Sequence, residues 1–268
     1  MKILLLICFL LLSTPAFAKH PHHAPTSKHD TGFNTVSMLV TDGDGNHLFA
    51  RNSQYQTPIA SITKLMTAVV TLDANLPMDE TLTITKDDYD RVKFTHSMLN
   101  AGASMSRYDT LWIAIMASEN RAAHMLGRTY PTGLASFVDA MNAKAATLGM
   151  VNTHFVDPTG LYKEDVSTAE DLAKLVIAAS NYDLIRKFTS SLTHEVSAPK
   201  RLKYHNANAL AHVWDVQVTK TGFIRESGSC VVIRTHIEDR DLVFILLKSA
   251  GIKARMHDAL ALKQIVMK

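Results

Sequence analysis

Three short strings of this 268-residue sequence could do chemistry together. Ser61-Ile62-Thr63-Lys64 places a hydroxyl and an amine three residues apart. A serine hydroxyl is a weak nucleophile at neutral pH and needs a base beside it. On a helix, residues i and i+3 share a face, roughly 5–6 Å apart between Cβ atoms, so Lys64 can curl back onto Ser61. To take the proton the lysine must be neutral part of the time, and burial or a neighbouring cation lowers its pKa. Ser118-Glu119-Asn120 offers a hydroxyl to pass a proton to a leaving amine and an amide to orient substrate. Lys220-Thr221-Gly222 offers a cation and a hydroxyl for a substrate carboxylate, with Lys220 as the neighbouring charge for Lys64. Gly222 is read as leaving room for substrate beside a strand. An oxyanion hole needs two backbone N–H groups, for which Ser61 and Phe223 are the candidates.

Each string alone is weak. Ser-x-x-Lys is expected about once by chance in a chain of average composition, and Ser197-Ala198-Pro199-Lys200 is a second copy. Pro199 forbids a regular helix there, and no Ser-x-Asn follows it. A lone Ser118-Glu119-Asn120 would read as a helix cap, and a lone Lys220-Thr221-Gly222 as a strand ending in a turn. Their order along the chain is what points to acyl transfer.

The elements that must hold these residues are legible from periodicity. Residues 36–40 and 47–51 are short apolar-rich runs around Asp42-Gly43-Asp44-Gly45-Asn46, which predicts a β-hairpin. Ile62, Leu65, Met66, Val69, Val70 and Leu72 recur at helical spacing, so a helix is predicted to begin near Ser61. The nucleophile then sits in the first turn, where the helix dipole favours developing negative charge. Further helices are predicted over 109–116, 121–127, 134–148 and 168–179, with the Ser118 motif in a loop. Residues 214–219, 229–237 and 242–247 switch to β-type runs separated by turns, an antiparallel meander, and 252–267 closes the chain as a helix. Strands at both ends with a mostly helical insertion over about 75–185 predict an α/β (α+β) fold: one sheet, flanking helices, and a cleft between the layers.

The first eighteen residues read as an export signal: Lys2, an apolar run from Ile3 to Leu12, and Ala16-Phe17-Ala18 as the cleavage site. That run is too short to span a bilayer, which takes roughly 20 residues. Lys19, not Cys, follows the site, so no lipoprotein anchor is expected and the predicted location is the periplasm. Residues 19–32 form a leader carrying His20, His22, His23 and His29. Those imidazoles could take a metal, but the prolines and the lack of periodicity read as a disordered tail. Residues 33–268 remain as a single domain, large enough to fold without disulfides. Cys230 is left unpaired once the signal departs and reads as a buried strand residue. A formal charge of +3 is too weak a bias to suggest nucleic acid.

Several longer strings resemble the low-molecular-mass penicillin-binding proteins, the serine D-Ala-D-Ala peptidases of family S11. They are Pro58-Ile59-Ala60-Ser61-Ile62-Thr63-Lys64-Leu65-Met66-Thr67-Ala68, Ser118-Glu119-Asn120-Arg121-Ala122-Ala123-His124, and Ala140-Met141-Asn142-Ala143-Lys144. Pro158-Thr159-Gly160-Leu161, Val166-Ser167-Thr168-Ala169 and Thr219-Lys220-Thr221-Gly222-Phe223 extend the match over residues 33–250. The resemblance implies a β-lactamase/penicillin-binding transpeptidase-like fold and cofactor-free, metal-free hydrolysis of D-Ala-meso-diaminopimelate cross-links in peptidoglycan through an acyl-Ser61 enzyme. It also implies covalent inhibition by β-lactams. Carboxypeptidase relatives often add a C-terminal β-domain and an amphipathic anchor, and the sequence ends at Lys268, soon after Gly222, which favours the endopeptidase type. One departure is Asp165, where the family leads one to expect Asn before Val-Ser-Thr, and it puts the local loop geometry in question.

The alternatives weighed are a carboxypeptidase, a β-lactamase, an esterase and a non-catalytic wall-binding scaffold. Class A β-lactamases add a glutamate that activates the deacylating water, and Glu164 and Glu170 lack its context. The carboxylate-gripping Lys220 disfavours an esterase, and the intact triple disfavours a scaffold.

Overall fold

The computed structural model describes residues 32–268; the expected signal and histidine-rich leader lie outside the described residues. β1 (Thr35–Asp42) and β2 (His47–Arg51) form the predicted hairpin. Asp42 holds its turn, Oδ1 accepting from the amides of Asp44 at 3.0 Å and Asn46 at 2.8 Å, a side-chain mimic of a backbone turn.

β3 (Thr57–Pro58) leads through a single 3-10 turn, Ala60–Ile62, into α1 (Thr63–Asp73). β4 (Thr81–Thr83) and β5 (Ser104–Ser106) pair across a long connection and precede α2 (Arg107–Met116), α3 (Asn120–Arg128) and α4 (Leu134–Thr147). β6 (Val166–Ser167) pairs with β3 and delivers α5 (Ala169–Ala179), whose N-cap Thr168 accepts from the Asp171 amide. α6 (Asp183–Ser190) and the hairpin of β7 (Thr193–Ala198) and β8 (Lys200–His205) follow. The rejected second Ser-x-x-Lys copy lies in this hairpin, where Pro199 forms the turn.

The chain ends as β9 (Asp215–Ile224), β10 (Gly228–Ile237), β11 (Arg240–Ser249) and α7 (Ile252–Val266). Both chain ends build one antiparallel sheet in the order β2-β1-β11-β10-β9. Its two faces are both buried, which explains the continuous apolar runs in β10 and β11. Val231, Ile233, Phe244 and Leu246 pack with Ala259 and Leu262 of α7. Their alternates Val232, Val243, Ile245 and Leu247 join α1, α2, α3 and α5 in the larger core.

Two differences from expectation matter for the site. β9 runs to Ile224, beyond the predicted 214–219 run, so the strand expected to carry Lys220-Thr221-Gly222 holds all three within it, at the sheet edge. Asn120 is the first residue of α3 rather than a loop residue. α6 and the β7–β8 hairpin were not expected. The hairpin's inward side offers only Val196, Ala198 and Tyr204 as buried residues among charged neighbours, too sparse an alternation to stand out.

Candidate active site

Ser61 is half-buried in the 3-10 turn just before α1, not in the α-helix itself. The preceding residue, Ala60, has φ 49°, a left-handed conformation costing about 1–3 kcal/mol for a non-glycine residue. A Cβ on Gly160, itself at φ +78°, would lie 2.0 Å from the Ala60 carbonyl oxygen. One on Gly222 would lie 2.8 Å from the Ile59 oxygen and 3.0 Å from the Ser61 nitrogen. Two glycines therefore let the 157–160 loop and β9 close directly on the Ser61 turn. This corrects the expectation for Gly222: the space its missing side chain leaves is filled by the Ile59–Ser61 backbone.

Lys64, wholly buried, directs all three donors inward. Its Nζ donates to Ser61 Oγ at 2.8 Å, Asn120 Oδ1 at 2.7 Å and the Thr159 carbonyl at 2.7 Å. Burial lowers its pKa to about 8, while the charges of Asp157 and Glu119 keep it from falling further. A base poised near neutrality beside a hydroxyl is the arrangement nucleophilic catalysis requires. Burial, not the Lys220 charge expected from sequence, is the largest influence on this lysine.

Asn120 is held from its other end, Nδ2 donating to Thr95 Oγ1 at 2.8 Å. Thr95 is anchored in turn by Asp90, whose Oδ2 accepts the Thr95 hydroxyl at 2.7 Å and amide at 2.8 Å. From the same segment Lys93 reaches Glu226, in the β9–β10 turn, at 2.8 Å. Ser118, partly exposed, lies on the connection from α2 to α3 with φ 62°, a second strained non-glycine residue. Glu119 caps α3, its Oε2 accepting from the Ala122 amide at 2.7 Å.

From the sheet side, Lys220 is also buried, and its Nζ donates to the Thr221 carbonyl at 2.9 Å. Burial lowers its pKa well below the usual lysine value, helped by the charges of Lys64 and Arg255. Thr221 is buried, and Phe223 is 67% exposed at the strand edge. The structure thus brings Ser61, Lys64 and Asn120 into one hydrogen-bonded group, with Gly222 against the Ser61 amide and Lys220 within electrostatic reach of Lys64. Glu170 is engaged elsewhere, accepting from Ser53 Oγ at 2.8 Å, and Glu164 is exposed.

Sequence reasoning assigned no role to Thr95, Asp157, Thr159 or Arg255. Asp157 accepts from the amides of Thr159 at 3.0 Å and Gly160 at 2.8 Å; the Asp-Pro-Thr-Gly spacing was a readable turn signal. Arg255 of α7 is buried and donates to the Cys230 carbonyl at 2.8 Å. Nothing in the helical pattern of 252–267 marked it. Beside Asn120, Asp157 and Thr159 a cavity of about 330 Å³ opens toward Asp90, Arg91, His124 and Tyr162.

Comparison with known proteins adds an independent line. The S11 peptidase family, described as D-alanyl-D-alanine carboxypeptidase, matches residues 24–251. A D-alanyl-D-alanine endopeptidase of Pseudomonas aeruginosa is 43% identical over 236 residues, covering 85% of this chain and 76% of that protein. Its Escherichia coli counterpart is 39% identical, covering 85% and 75%. The crystal structure of the Streptomyces K15 DD-transpeptidase superposes with a TM-score of 0.82 at 25% identity, covering 88% of this chain and 98% of that one. Penicillin-binding protein D2 of Listeria monocytogenes, in its cefotaxime-bound form, gives 0.80 at 27% identity, covering 90% and 100%.

Proposed function

The chain belongs to the S11 peptidase family, and from that premise we propose that it is a serine DD-peptidase whose reaction is cleavage of D-Ala-meso-diaminopimelate cross-links in peptidoglycan. The observation that carries the reading is the 2.8 Å contact between Lys64 Nζ and Ser61 Oγ, made by a lysine whose pKa is about 8. Ser61 Oγ bonds to the carbonyl carbon of the D-Ala residue while its proton passes to Lys64. The C–N bond then breaks, and Ser118 relays a proton to the departing amine. Water adds to the acyl-Ser61 ester, the C–O bond breaks, and Ser61 regains its proton.

Asn120 orients the substrate amide, and Lys220 with Thr221 receives a substrate carboxylate. β9 is a sheet edge, so an extended peptide can pair with it as an added strand. The amides of Ser61 and Phe223 receive the oxyanion. The endopeptidase assignment draws support from the relatives at 43% and 39% identity. The carboxypeptidase reading draws its support from more distant relatives, at 28% and 27%. The cefotaxime complex of the Listeria relative supports β-lactams as covalent inhibitors of Ser61. The signal-like first eighteen residues support a periplasmic location. No helix among the described residues is long and apolar enough to cross a membrane.

The test is mass spectrometry of products from purified cross-linked dimers and pentapeptides. Loss of dimers with pentapeptides intact is expected; released D-Ala without dimer cleavage would establish the carboxypeptidase instead. Ser61→Ala should abolish both turnover and labelling by a fluorescent penicillin while keeping the wild-type melting temperature. Undiminished turnover by that variant would overturn the assignment.

A further inference from the structure

Asp165 is fully buried in the segment leading to β6. Its Oδ1 accepts from the amides of Val156 at 2.8 Å and Asp157 at 3.3 Å. Its Oδ2 is buried with no hydrogen-bond partner. The group that bears on it most strongly, after burial itself, is a second carboxyl, Asp157. Both oxygens of Asp157 already accept, Oδ1 from the Gly160 amide and Oδ2 from the amide and hydroxyl of Thr159, which leaves Oδ1 one lone pair for a further donor. Those bonds shape the 157–160 loop, and the loop presents the Thr159 carbonyl to Lys64 at 2.7 Å. The Asp165 backbone is fixed as well, its carbonyl accepting from the Ile59 amide at 3.0 Å and its amide donating to the Tyr162 carbonyl at 3.2 Å. The charged groups around it are Asp157, from the same loop, and Lys64, across Thr159.

Two ionised carboxylates in this interior, one with an idle oxygen, would be costly. A proton on Asp165 removes the cost, because its O–H becomes the donor the Oδ2 position lacks, and a carboxyl-to-carboxylate hydrogen bond is a strong one. We propose that Asp165 is a neutral, proton-bearing positioning residue whose carboxyl donates to Asp157 and so holds the Thr159 carbonyl against Lys64. Burial and the Asp157 charge push its pKa up to about 10, in agreement. An asparagine would supply the same donor permanently, so Asp165 does as an acid what an amide would do there.

The sign of the pH effect follows from the raised folded-state pKa. The proton on Asp165 favours the folded state most fully below the unfolded carboxyl value of about 4, and this advantage is lost as pH climbs toward about 10. Three measurements on the full chain test the proposal. The infrared difference between wild type and Asp165→Asn should contain the carbonyl stretch of a protonated carboxyl at neutral pH. The melting temperature of Asp165→Asn should gain on wild type steadily from about pH 5 to about pH 9. Asp165→Asn should acylate with a β-lactam at the wild-type rate and with an unmoved acid limb, since no charge has been removed from beside Lys64. Asp165→Val, which lacks a donor, should acylate at least tenfold more slowly, a ratio of about 1.4 kcal/mol.

Absence of the carbonyl band, a melting difference constant with pH, or an acid limb moved downward in Asp165→Asn would each overturn the proposal. If Asp165→Val does not fold, the Asp165→Asn measurements decide alone. Only the acylation arm rests on the acyl-Ser61 reading, so failure of that reading leaves the infrared and thermal arms standing.

Discussion

Lowering the pH tests the assignment of Lys64 as the base that activates Ser61. Its pKa stands at about 8 against an ordinary 10.5 because the ammonium is wholly buried. The difference of roughly 2.5 units corresponds to about 3 kcal/mol of preference for the neutral form. At pH 7 roughly one molecule in ten then carries a neutral Lys64, and at pH 6 roughly one in a hundred. An unperturbed lysine would leave only about three in ten thousand neutral at pH 7. The second-order rate of Ser61 acylation by a chromogenic β-lactam should therefore climb about tenfold per pH unit up to about pH 7 and level off above about pH 9. Stopped-flow absorbance on the free enzyme measures it directly, with a β-lactam that does not titrate in the range. An acid limb still rising at about pH 10 would refute the burial argument, and one centred below about pH 6 would show that Asp157 and Glu119 do not hold the Lys64 pKa up. Lys64→Ala acylating at near the wild-type rate would refute the role itself.

Two further substitutions probe the packing around that pair. Gly222→Ala puts a methyl group 2.8 Å from the Ile59 oxygen and 3.0 Å from the Ser61 nitrogen, and neither backbone atom can swing aside. Overpacking of this kind costs about 1–3 kcal/mol, so a lower melting temperature and at least tenfold slower acylation are expected, and an unchanged acylation rate would show that β9 does not set the Ser61 turn. Thr95→Val keeps the shape but removes the acceptor for Asn120 Nδ2. Losing one such bond is worth about 1 kcal/mol, a roughly fivefold loss in acylation; wild-type kinetics would mean that Asn120 is held by Lys64 alone.

What could be read in the sequence was what repeats or what is local. The run Leu242–Leu247 announced a strand, and the structure places its alternate residues in the two separate cores. The i, i+3 spacing of Ser61 and Lys64 announced their contact, although the turn that carries Ser61 is 3-10 and not α. What could not be read is what the chain assembles across distance. Thr95 reaches Asn120 from an irregular segment with no periodicity to mark it. Thr159 acts through its backbone carbonyl, which any residue type would provide. Gly222 was read as leaving room for substrate, and the group that comes close is backbone, because a glycine does not say which of the two approaches. The same limit applies to Lys64, whose lowered pKa is a property of burial and so of the packed molecule.

The two buried lysines are not equivalent, and the difference bears on substrate choice. Lys64 has acidic company in Asp157 and Glu119 and spends its three donors on Ser61, Asn120 and Thr159. Lys220 faces two cations, Lys64 and Arg255, and its described bond goes to the carbonyl of its own neighbour, Thr221. A buried ammonium placed among like charges is poorly stabilised until an anion arrives. In the proposed reaction a substrate carboxylate would supply that anion, with the largest benefit where the free site is most frustrated. The strand that carries Lys220 is the last of its sheet, so the extended peptide proposed above would meet charge and backbone on one rigid element. On the proposed reading, selection for a peptide with a carboxylate close to the attacked bond would lie in β9, and the chemistry in the turn that β9 closes upon.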